Sequence, residues 1–172
     1  MQIPSRLLMG PGPSNVAPDV LAALSQPTIG HLDPVFQSLM EEVKDLLRHA
    51  FQTRNAMTFP ISAPASLAME AALVNLLEPG DTALIAQNGV FGGRMAEIAS
   101  RAGANVKLLE FDWGKPVCPE MVAQALADDP QIKVLAFVHA ETSTGVRSDA
   151  ARLCALARNA GVLSVVDTVT GL

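Results

Sequence analysis

Tyrosine is missing from this sequence, and aromatic residues of every kind make up only 4 % of it. No run of basic residues interleaves with the few aromatics present. The net charge of -5 gives no attraction to nucleic-acid phosphate or to an anionic membrane. Charged residues are also scarce, at 17 %, against about a quarter in an ordinary soluble domain. A surface so poor in charge implies cover from a second subunit or from further chain. There are two cysteines, Cys118 and Cys154, with neither a CxxC arrangement nor metal-ligand spacing. They are expected to be reduced thiols, and no metal is expected. The first residues, Met1 to Met9, lack the apolar stretch and cleavage site of a signal peptide. No apolar run reaches the ~18 residues of a membrane span. These absences predict a soluble, cytoplasmic protein with no nucleic-acid and no membrane partner.

What the chain does have is apolar residues, 49 % of its 172 positions. That is enough to bury a core in one domain or in a large part of one. The opening Gly10-Pro11-Gly12-Pro13-Ser14-Asn15 denies both helix and ladder hydrogen bonds, so it is a loop. A short helix follows at 18–24. Asp33 and Pro34 then form an N-cap and first helical position. Phe36, Leu39, Met40, Val43, Leu46, Leu47, Ala50 and Phe51 keep the helical period behind them.

From there the pattern alternates. Strands are predicted at 58–61, 82–87, 106–111, 134–138 and 162–166. Helices are predicted at 66–77, 92–102, 119–127 and 149–159, with Gly103 and Gly161 closing two of them. Such alternation means βαβ units. Continuous apolar strands mean a sheet covered on both faces. The expected fold is α/β, a mainly parallel sheet with helices on both faces.

In such sheets ligands sit beyond the carboxyl ends of the strands, and four polar features fall there. Ser62-Ala63-Pro64-Ala65-Ser66 opens a helix with small residues, a hydroxyl and unpaired N–H groups, which suit a phosphate but also suit any small polar turn. Phe91, among Asn88, Gly89, Gly92 and Gly93, could stack on a planar ligand or simply pack in the core. His139-Ala140-Glu141-Thr142-Ser143-Thr144-Gly145 is a dense polar cluster. In it His139 reads more readily as a structural residue than as a base, and Thr142 and Ser143 also fit a turn. Asp167 closes an apolar strand, where a carboxylate is costly without a partner. An arginine, a metal or a protonated heterocycle would each serve, with metal the weakest option because no metal-spaced cluster is present.

At this point the residues resemble a known family. Leu7 to Asn15, Ile29-Gly30-His31-Leu32-Asp33-Pro34, Met69-Glu70-Ala71-Ala72, Glu78-Pro79-Gly80-Asp81, Glu141 to Val146 and Val166-Asp167-Thr168-Val169 are similar to segments of class V aminotransferases. The similar group is the alanine–glyoxylate and serine–glyoxylate (serine–pyruvate) one, in its order and at its spacing. The resemblance implies part of the large domain of a fold-type I enzyme using pyridoxal 5'-phosphate (PLP). It implies transfer of an amino group from a small amino acid, alanine or serine, to glyoxylate or pyruvate. It assigns Asp167 to the ring nitrogen, Phe91 to ring stacking, Ala65 and Ser66 to the phosphate turn, and Thr142 to a place near the ring. It also implies a homodimer, with Gly10, Gly12 and His31 near a shared interface or the substrate. Residues 1–25 would be a loop and short helix reaching the partner subunit. Residues 26–172 would be an incomplete PLP-binding domain, with the small C-terminal domain absent.

Two departures stand out. Ala63, Pro64 and Ala65 stand where the family usually has glycines, and Pro64 cannot donate a hydrogen bond. The Schiff-base lysine is also absent: the only lysines are Lys44, Lys107, Lys115 and Lys133, and none follows Asp167. The chain alone is therefore expected to be inactive, and no catalytic residue is assigned within it. The competing reading is a non-catalytic remnant or binding module of the same fold. A nucleotide-binding Rossmann domain is disfavoured, because no G-x-G-x-x-G follows the first strand.

Overall fold

The computed structural model describes residues 3–172. They divide into two units, one running to Pro60 and the other Ile61–Leu172.

In the first unit, the Asn15 side chain organises the Pro- and Gly-rich loop. Its Oδ1 accepts from Leu8 N at 2.7 Å, and its Nδ2 donates to Arg6 O at 2.8 Å. Helix α1 is Pro18–Leu24, as the sequence predicts. Helix α2 is Pro34–Ala50, and the Asp33 carboxylate accepts from Val35 N at 2.8 Å, a side-chain N-cap with Pro at the first turn. Phe36, Met40, Val43 and Leu47 form its half-buried stripe, while Gly10, Gly12 and His31 are exposed. The strand expected at 58–61 does not form. Thr58 spends its N–H on Ala56 O and its hydroxyl on Asn55 O. Pro60 has no N–H to offer a ladder.

The second unit alternates as expected. Its elements in order are α3 (Ala65–Leu76), β1 (Thr82–Gln87), α4 (Val90–Arg101), β2 (Asn105–Glu110), α5 (Pro119–Asp128) and β3 (Ile132–Val138). A two-stranded piece of β4 (Ala140–Glu141) and β5 (Val146–Arg147) follows, then α6 (Ala150–Asn159) and β6 (Leu163–Asp167). The main sheet has the order β2-β1-β3-β6 and every pairing in it is parallel. Gly103 and Gly161 follow their helices at φ 85° and 72°, a left-handed backbone that glycine takes without a Cβ clash.

Strand alternation divides the core. Ala83 and Ile85 of β1 face α3 and α4, where Leu73, Met95 and Ala99 are fully buried. Leu84 and Ala86 face α5 and α6, with Val122, Leu153 and Ala157. Both faces of the sheet are thus covered, as expected.

The two ends of the sheet differ in charge chemistry. At the amino end, Lys133 pairs with Asp81 and Lys107 with Asp129. The Lys133 ammonium, hydrogen-bonded to Asp81, holds that carboxyl below the usual carboxylate range. At the carboxyl end the acids are held differently.

Candidate active site

The chain leaves β1 toward β2 on one side and leaves β3 toward β6 on the other. A crevice at the carboxyl ends of β1 and β3 follows from that reversal, and ligands of open α/β sheets bind there. The polar segments singled out in the sequence converge on this rim.

Glu141 is the central group. Its side chain is 1 % exposed, and both oxygens accept hydrogen bonds. Oε2 accepts from Phe91 N at 3.1 Å and Gly92 N at 3.3 Å. Oε1 accepts from Ser143 N at 3.2 Å and Ser143 Oγ at 2.6 Å. Ser143 Oγ in turn accepts from Val90 N at 3.0 Å. The first N–H groups of α4, which no helix can satisfy internally, are thus capped from 50 residues away. This explains why α4 starts at Val90 and not at Gly92, where the sequence pattern begins it.

Gly89 lets the carboxylate approach. An added Cβ there would lie 2.5 Å from Glu141 Cδ and 2.6 Å from Ser143 Oγ. Gly89→Ala is therefore expected to destabilise the full-length protein by about 1–3 kcal/mol, the range for overpacking a filled site. Urea denaturation measures this, and an unchanged midpoint would contradict the packing.

Phe91 is half-buried in the first turn of α4. The Arg94 guanidinium lies over its ring, 5.1 Å from the centroid. Arg94 Nη1 also donates to Ser66 Oγ at 2.6 Å. One cation thereby joins the stacking candidate to the first turn of α3. There Ala65 is exposed and Ser66 half-buried, and Pro64 caps the helix through its carbonyl, which accepts from Leu67 N at 2.9 Å.

Thr142 is half-buried and follows Glu141 directly. Beside it, His139 N donates to Asp167 O at 2.9 Å. An alanine Cβ at Gly171 would collide with His139 Nδ1, so the imidazole is packed against backbone. Asp167 ends β6 in register with Val138. Its Oδ1 accepts from Val169 N at 3.0 Å. Among the described residues no Lys or Arg pairs with this carboxylate. Arg147, the nearest local candidate by sequence, pairs instead through its backbone with Ala140.

Sequence reasoning missed Arg94, Glu141 as an individual residue, and the β4–β5 pairing. The signal for Glu141 was available. It is an acid just past an apolar strand, the same argument that singled out Asp167.

Comparison with known proteins gives this geometry its setting. The chain belongs to the aminotransferase class-V family, whose profile matches residues 8–172. The alanine–glyoxylate aminotransferase of Mus musculus is 43 % identical over 172 residues, covering 100 % of this chain and 41 % of that protein. The (S)-ureidoglycine–glyoxylate transaminase of Bacillus subtilis (strain 168) is 39 % identical over 166 residues, 96 % of this chain and 40 % of that protein. The crystal structure of alanine–glyoxylate aminotransferase from Nostoc sp. superposes with a TM-score of 0.95 at 45 % identity, covering 100 % of this chain and 45 % of that one. The chain therefore spans less than half the length of these relatives. Its fold is α/β with a parallel sheet and matches part of the large domain of fold-type I PLP enzymes, and the family is a PLP-dependent one.

Proposed function

We propose that the full-length protein carrying this sequence is a PLP-dependent transaminase, moving an amino group from alanine or serine to glyoxylate or pyruvate. The observation that supports this most is Asp167, a carboxylate at the sheet's carboxyl rim with no cationic protein partner among the described residues. A half-buried acid in that state suits a protonated ring nitrogen. Phe91 would stack on the ring, and Thr142 would lie beside it. Ala65 and Ser66 would present N–H groups and a hydroxyl to the phosphate at the start of α3. Pro64 gives no donor there, so the helix amides and the Ser66 hydroxyl carry that role. PLP supplies an electron sink that stabilises negative charge developing at the substrate Cα. The chain's own contribution is to fix the ring plane and to hold a proton on the ring nitrogen through Asp167.

We further infer a homodimer in the cytoplasm, with Gly10, Gly12 and His31 near the interface. Leu24, Leu32, Val35 and Leu46 of the first unit are exposed by 78, 74, 67 and 61 %, and apolar exposure of that extent suits cover by a second copy. Cys118 and Cys154 are unpaired thiols, which suits a reducing compartment. Among the described residues no helix is long and apolar enough to cross a membrane.

The test is direct. Full-length protein with PLP should convert alanine and glyoxylate to pyruvate and glycine. Residues 1–172 alone should not, because none of Lys44, Lys107, Lys115 and Lys133 follows Asp167, where the resemblance puts the Schiff-base lysine. Failure of the full-length protein with every one of these donors and acceptors would refute the proposal, and turnover by residues 1–172 alone would refute the need for a lysine beyond Asp167.

A further inference from the structure

We propose that Glu141 is a positioning residue. Its buried carboxylate locks the first turn of α4, and with it the Phe91 ring, to the segment carrying Thr142. The inference deepens the reading of this rim as a PLP site and rests on it.

The physical case begins with cost. A carboxylate that is 1 % exposed has given up its water and needs full compensation from the protein. Here the compensation comes only from donors: three N–H groups and one hydroxyl. Two of those N–H groups belong to Phe91 and Gly92, at the positive end of the α4 dipole. The other two donors belong to Ser143, two residues on in the turn that follows β4. The carboxylate therefore joins two segments that the chain keeps far apart.

A general helix cap would be served by any side chain with an oxygen, from a residue just before the helix. Gly89 stands at that position in α4 and makes no side-chain cap. The cap comes instead from the β4 residue next to Thr142. It reaches the amide of Phe91 itself, whose ring is further held by Arg94 and, through it, by Ser66. Three of the five assigned cofactor contacts, Ser66, Phe91 and Thr142, are thus tied together, and Glu141 is the group that closes the link.

Glutamine cannot replace this group. It offers one acceptor oxygen and one NH2 group, so in either orientation the NH2 faces a backbone N–H. Glu141→Gln in the full-length protein should have two effects. Without PLP, exchange of the Phe91 and Gly92 amide hydrogens, read by NMR or by mass spectrometry of that peptide, should accelerate about tenfold or more, as expected for loss of a charge-assisted hydrogen bond. With PLP, the dissociation constant should rise by a similar factor, on the order of tenfold, and the circular dichroism of the bound chromophore should fall. Ser148→Ala serves as the control. Ser148 is buried and its Oγ accepts from Val117 N at 3.1 Å, so its loss destabilises the fold without touching α4.

Unchanged exchange at Phe91 and Gly92 in Glu141→Gln would overturn the proposal. So would a PLP affinity and dichroism no worse than those of Ser148→Ala at equal loss of melting temperature. If Glu141→Gln yields no folded protein, Ser143→Ala decides by the same readouts, since it removes the hydroxyl joining Val90 N to the carboxylate. Exchange and affinity that match wild type in that variant would overturn the proposal equally. Wild-type protein that binds no PLP would overturn the proposed function instead, and the exchange measurement would still decide the role of Glu141 in holding α4.

Discussion

Asp167→Asn in the full-length protein is expected to lower turnover on the order of a hundredfold, the scale seen when one electrostatic partner of a reacting centre is removed. PLP affinity should fall much less. The asparagine oxygen can keep the bond that Asp167 Oδ1 accepts from Val169 N, so the end of β6 stays in place and the melting temperature holds. What the amide lacks is charge. It can hydrogen-bond a ring nitrogen but cannot favour the protonated form of that nitrogen over the neutral one. The loss should therefore appear in kcat, with KM and the PLP dissociation constant nearly preserved. Turnover equal to wild type would remove Asp167 from the role assigned to it. A collapse of affinity with intact kcat would assign it to binding alone.

The second large effect concerns the fold that delivers Asp167 to the rim. Phe137 lies in β3, between Ala86 of β1 and Val166 of β6, and is wholly buried. It packs in the layer with Leu84, Val122, Leu135 and Leu153. Phe137→Ala is expected to cost about 3–5 kcal/mol, from lost transfer energy and from the cavity left behind. Leu108, on the edge strand β2 and 43 % exposed, is the contrast. Leu108→Ala should cost under about 1 kcal/mol, because little apolar surface returns to water. Urea denaturation of both variants measures the difference. Equal losses would mean that β3 is not the centre of the cooperative unit.

Much of this arrangement was legible in the residues. Strand β1 and helix α1 fall where periodicity and turn residues put them, because Pro79-Gly80 and the run Thr82–Gln87 leave little choice of register. Asp33 as a cap was legible because capping is local: its acceptor and donor are two residues apart. The same locality explains the misses. The expected strand at 58–61 had β-forming residues, but a strand needs a partner, and Thr58 bonds to its own neighbours instead. Strands β4 and β5 have two residues each, too few for any period to register. Arg94 came into view only once α3 and α4 were packed side by side, since Ser66 lies 28 residues earlier. Asp167 was legible as an acid ending an apolar run. Glu141 stands three residues past its apolar strand, and among so many polar neighbours it read as one more residue of a turn.

The parallel sheet also governs the order in which this chain can assemble. Parallel neighbours cannot be joined by a tight turn, so each pairing must wait for a crossover to close. Strand β1 meets β2 across a single helix, Thr82 against Asn105, but it meets β3 only when Ile132 has returned to Thr82. During synthesis β1 and β2 can therefore join around α4 while the other side of β1 still has open N–H and C=O groups. That side is a template for any extended strand nearby. It closes only when β3 arrives, and the loop closure that brings it there makes the step slow compared with local helix formation. While β1 is half-paired, the nascent protein is exposed to pairing with the wrong strand.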